Sequence, residues 1–216
     1  MKKLALLAAA CGLACTPLLS LAGSTTVTPA VTGSAASAQL NFTVVIPAVL
    51  YLRVGTGNAI GAANNATVDT LSFTVPAANI GDGTVINASA ASGDLGAGAV
   101  TVRVFSNFGT NVTLNSSVTG QLSNGAGNTI AWSQIAVAGA ALATTTAGYT
   151  NGAITHPAFS ATTGAGTATT LTAVGKLVRQ EGKWTYTYTN ATAAPAGTYG
   201  ATVANNGIVT YTATQL

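Results

Sequence analysis

Beyond residue 22, acid–base chemistry near neutral pH rests on nine charged side chains and one histidine. The cations are Arg53, Arg103, Lys176, Arg179 and Lys183; the anions are Asp69, Asp82, Asp94 and Glu181. A hydrolase nucleophile needs a base, and histidine is the usual one. His156 stands beside Pro157, with Glu181 its nearest carboxylate in sequence, and reads as an ordinary loop residue. Four scattered acids in no recognisable motif give no paired-carboxylate glycosidase pattern. Zinc requires Cys/His clusters, which are absent. Asp82-Gly83 and Asp94 lack the spacing of a calcium loop and read as turn residues. Residues 93–98 (Gly-Asp-Leu-Gly-Ala-Gly) imitate a phosphate loop but lack its lysine and following helix. No catalytic residue, metal site or cofactor is therefore expected, and a hydrolase of unrecognised type is the weakest reading.

The elements that would position any site are strands. Leu40, Phe42, Val44 and Ile46 alternate with Asn41, Thr43 and Val45 until Pro47, which cannot donate to a ladder. Residues 49–54, 68–75, 99–106, 111–114, 130–137, 167–177, 183–190, 198–204 and 208–214 read as further strands, rich in Thr and Val. Residues 124–128 and Asn205-Asn206-Gly207 read as turns. Roughly ten short strands at this spacing argue for a single all-β domain, a β-sandwich, over residues 39–216. Residues 23–38 read as a flexible N-terminal arm. Trp184, Tyr186 and Tyr188 share one face of their strand; that stripe is either core packing or a glycan platform.

The chain begins like an exported protein. Met1-Lys2-Lys3, an apolar run over 4–13 and the small residues Ser20-Leu21-Ala22 make residues 1–22 a signal peptide. Both cysteines, Cys11 and Cys15, leave with it, so no disulfide is expected. Loss of Lys2 and Lys3 also lowers the formal charge from +3 to +1. Lys176, Arg179 and Lys183, with Glu181 among them, read as a solvated turn flank. Nothing here resembles the cationic cluster that nucleic acid requires. No later apolar run is long enough for a membrane span.

Charged residues are only 5% of the chain. Soluble sheet proteins guard their edges with charge or proline. With so few guards, edges must be covered, closed or paired with another copy. An alternating strand behind a flexible leader suits pairing by strand addition.

Several segments resemble chaperone–usher pilus (fimbrial) subunits, including the spore-coat-U-like group. They are residues 38–44 (Ala-Gln-Leu-Asn-Phe-Thr-Val) with the following short strand, 111–114 through 120–125 to 130–132, 195–200, and 209–213. The resemblance implies an incomplete immunoglobulin-like β-sandwich with an N-terminal extension strand. Leu40, Phe42, Val44 and Ile46, within a candidate donor strand over 39–46, would fill a groove on the next subunit. Val209, Tyr211 and Ala213 would lie on the C-terminal strand bordering that groove. It also implies a homopolymer, a periplasmic chaperone and outer-membrane usher as partners, and passage through the periplasm to a bacterial cell-surface fibre. Two features depart from the family. Leu50 or Tyr51 stands where many members start a disulfide, and Asn205-Asn206-Gly207 interrupts the closing strand. The extension strand is thus either donated or self-completing. The alternative function is a secreted carbohydrate-binding or adhesive module that meets a surface glycan through Trp184, Tyr186 and Tyr188.

Overall fold

A computed structural model describes residues 24–216, so the expected signal peptide and both cysteines lie outside the described residues. The chain divides into two units, Met1–Ile46 and Pro47–Leu216. In the described part of the first there is no strand. Local bonds shape its leader: Thr25 Oγ1 donates to Ser37 O at 2.7 Å, and Val31 N to Ser34 Oγ at 3.0 Å. Residues 40–46 were expected to form a strand. They carry the right alternation but pair with no ladder, and Leu40, Phe42, Val44 and Ile46 are 75–87% exposed.

The second unit is all β, apart from two short 3-10 turns. Its strands are β1 (Leu50–Val54), β2 (Ile86–Asn87), β3 (Ala99–Ser106), β4 (Val112–Val118), β5 (Leu122–Ser123), β6 (Thr129–Ile130), β7 (Ile135–Ala140), β8 (Thr150–Asn151), β9 (Gly164–Ala165), β10 (Thr169–Leu171), β11 (Val178–Tyr188) and β12 (Val209–Gln215). One sheet runs β1-β3-β11, with β2 continuing on the β3 side of β11 and β7 and β8 on its other side. The second runs β10-β4-β12, with β9 also on β4. β5 and β6 form a small separate hairpin around the turn at 124–128.

Period-2 alternation builds the core. On β3, Val100, Val102 and Val104 face inward; on β4, Val112, Leu114 and Val118 do; on β11, Val178, Trp184 and Tyr186 do. The order β1-β3-β11-β7 against β4-β12 is that of an immunoglobulin-type sandwich through its sixth strand. The seventh strand of such a sandwich would lie beyond β12. It has no counterpart among the described residues.

Three expectations require correction. Residues 68–75 alternate as expected, and Leu71 and Phe73 pack on the core, yet no ladder forms. Backbone groups there bond the 89–92 turn instead: Ser89 N donates to Ser72 O, and Ser72 N to Ser92 Oγ. Residues 198–204 form no hairpin with β12. Gly200 N donates to Ser123 O, and Asn205 O accepts from Ser123 N, so this loop is tied to β5 instead. Finally, Lys176 and Arg179 are exposed at a turn and at the start of β11, as expected, but Glu181 and Lys183 lie well inside β11, and Glu181 is fully buried.

Glu181 is buried because the loop leading into β8 brings Thr146 onto its carboxylate, beside Arg103. Its carboxylate accepts from Arg103 Nε at 2.8 Å and from Thr146 N at 2.5 Å. Those bonds keep its pKa below the ordinary value although burial opposes the charge. The adjoining Gly182 is required there: a Cβ would strike Gly152 O, whose residue donates its N–H to Glu181 O.

Candidate functional site

Two margins of the sandwich carry features that composition alone does not explain. At the first, β1 and β12 adjoin as the edge strands of opposite sheets. Each has one ladder partner, β3 and β4 respectively. Leu52 and Val54 from β1, and Tyr211 and Ala213 from β12, pack on the core while staying only partly buried. Val209, Tyr211 and Ala213 face inward, and Thr210, Thr212 and Thr214 face out. The ends of the margin are fastened. Ser106 Oγ donates to Gln215 Oε1 at 2.6 Å, joining the sheets. Asn107 clamps the entry to β1 by accepting from Val49 N at 2.7 Å and donating to Pro47 O at 2.8 Å. The arrangement is a shallow apolar strip beside an unpaired strand edge. Chemically it can accept one more strand.

At the other margin, residues 153–161 lie against β7 and border an open cleft of about 590 Å³. Trp132, Ile135, Val137, His156, Phe159 and Ser160 are among its lining residues. His156 packs at a steep angle against Phe159 and Trp184, with ring centroids 4.7 and 4.6 Å away. Its Nε2 lies 2.7 Å from the Tyr211 hydroxyl, which lies 2.7 Å from the Tyr186 hydroxyl. Burial pushes the imidazolium pKa down to about 4 and holds both phenols protonated.

His156 is thus half-buried among aromatic rings, a neutral imidazole in ordinary conditions. The carboxylates are employed elsewhere. Asp94 accepts from Arg53 at 3.0 Å and from Thr101 N at 2.8 Å. Asp69 caps Thr56, Asp82 caps Thr84, and Glu181 pairs with Arg103. No carboxylate lines the cleft. Among the described residues, no three His, Cys, Asp or Glu side chains gather to hold a metal ion.

The glycan platform on β11 is overturned. Trp184, Tyr186 and Tyr188 are 0%, 4% and 6% exposed, and Trp184 Nε1 donates to Ile154 O at 2.7 Å. Their shared face is the one turned toward the opposing sheet, so sugar cannot reach it. Trp132 and Phe159, which line the cleft, carried no readable signal of their own. An aromatic at a loop position marks a cavity wall only once the loop's path is known.

No family model matches the chain, and neither the curated proteins nor the solved structures contain a match. No helix among the described residues is long and apolar enough to cross a membrane.

Proposed function

We propose that this chain is a structural subunit of a secreted surface fibre, in which residues 39–46 of one copy add a strand beside β12 of the next. The observation that carries this is the unpaired outer edge of β12, at the place of a seventh immunoglobulin-type strand. Supporting it is an exposed alternating segment, Leu40, Phe42, Val44 and Ile46, that has no partner strand of its own. Strand addition supplies both requirements at once. Main-chain hydrogen bonds give affinity, and alternate side chains give register. Secretion through the periplasm, a chaperone that holds β12 before assembly, and an usher belong to the same proposal. No enzymatic role is included.

The test separates donor from acceptor. Chain lacking residues 24–46 should form no fibres by electron microscopy. A synthetic peptide of residues 38–47 should raise its melting temperature in proportion to the logarithm of peptide concentration. Fibres formed by the armless chain would overturn the proposal, as would a peptide without effect on a folded acceptor.

A further inference from the structure

The cleft beside β7 is lined by no residue of β12 and is not needed for strand addition. We propose that it is a binding site for a neutral saccharide, held by ring stacking and by a hydrogen bond from His156 Nδ1.

The proton positions follow from satisfying the buried hydroxyls. Tyr186 is 4% exposed, and the hydroxyl of Tyr211 is the one partner its own hydroxyl has. If Tyr211 donated to Tyr186, the Tyr186 hydrogen would be buried without an acceptor, which is costly. Tyr186 therefore donates to Tyr211, and Tyr211 donates to His156 Nε2. With Nε2 accepting, the neutral imidazole carries its hydrogen on Nδ1. This tautomer is assigned from the network. Among the described residues Nδ1 has no hydrogen-bond partner, and His156 lines the cleft.

The rest of the cleft selects the ligand class. Half-buried Phe159 offers the aromatic face of the cleft, the buried Trp132 ring backs it with centroids 5.0 Å apart, and Ile135 and Val137 extend the apolar wall. Ser133, Thr155 and Ser160 supply hydroxyl-bearing side chains. The lining holds no ionised group, so a charged ligand would lose hydration without a counter-charge. The volume falls within the usual range of small-ligand sites, roughly 300–1,000 Å³. A sugar ring offers an apolar C–H face to the wall and hydroxyl or acetamido oxygens to the Nδ1–H donor. A lipid chain offers no acceptor for that donor.

The probes are glucose, galactose and N-acetylglucosamine, with sialic acid and the apolar dye ANS as contrasting arms. Binding to the full processed chain is read by saturation-transfer NMR and by tryptophan fluorescence. At least one neutral sugar should bind saturably, and sialic acid should not. His156→Phe, which keeps a ring but removes the donor, should weaken binding about tenfold, the scale of one net hydrogen bond. Ala161→Trp, at the exposed rim, should block the cleft without changing the melting temperature; it keeps the test meaningful if His156→Phe is poorly folded. Failure of every neutral sugar to bind, binding that survives Ala161→Trp, or ANS binding alone would each overturn the proposal. Fibre formation is scored separately in both variants and should not change, so failure of this site is distinguishable from failure of assembly.

Discussion

At the β1 and β12 margin the chain leaves a strand edge without a ladder partner, whereas at the β7 margin it leaves space among side chains. The first is long, shallow and regular, and what completes it must bring a backbone. The second is short and irregular, walled by aromatic rings from distant parts of the chain, and what completes it must bring a shape and an acceptor atom. Tyr211 links the two. It sits on β12 yet reaches across the core to His156. Thus one uniform strategy, alternating apolar residues with almost no charge, yields two openings of different chemistry. The difference arises because residues 153–161 cross beside β7, while no described segment forms a ladder along the outer edge of β12.

The comparison breaks most severely if the arm is disabled. Replacing Phe42 and Val44 with Asp should remove two apolar anchors worth of order 2 kcal/mol each. Self-association measured by sedimentation should then weaken about a thousandfold. The same substitution should leave the cleft untouched, and a parallel loss of sugar binding would show that the margins are not independent.

Glu181→Gln touches neither margin. It breaks a buried pair and should cost roughly 3 kcal/mol in urea unfolding, because Arg103 loses its counter-charge. Sugar binding and fibre assembly should persist below the new unfolding midpoint.

The β7 margin alone should respond to mild acid. The folded-state pKa of His156, about 4, lies below the ordinary imidazole value of 6.5. The unfolded chain therefore binds the extra proton first as pH falls. Stability is full above about pH 6.5 and declines as pH drops toward 4, by at most about 3 kcal/mol. His156→Phe should flatten that part of the pH profile measured by thermal unfolding. An unchanged slope would place the titration elsewhere.

Tyr211→Phe is the smallest perturbation and the sharpest. It removes the hydroxyl shared by Tyr186 and His156, leaves the buried Tyr186 hydroxyl without an acceptor, and should cost about 2 kcal/mol. It should also free the His156 tautomer, visible as a change in imidazole 15N shifts.

The fold was legible wherever it depended on neighbouring residues. β3 occupies 99–106, as the alternation of Val100, Val102 and Val104 implies. β1, β12 and the turn at 124–128 lie close to where they were expected. Residues 68–75 and 198–204 were misjudged because alternation reports two faces, not a partner strand. The aromatic stripe on β11 was legible as a stripe, but core and surface share the same period. His156 gave least away. Its environment comes from Tyr211, 55 residues distant, and from rings on other strands.

By itself, then, the amino-acid order determined an all-β chain with a scarcity of charge and a leading alternating segment, because strand propensity and period are properties of consecutive residues. Only tertiary structure decided that Trp184 faces inward, that β12 keeps a bare side, and that His156 meets Tyr211. Those outcomes depend on which distant strands close on one another, and pairing across long loops leaves no trace in local spacing.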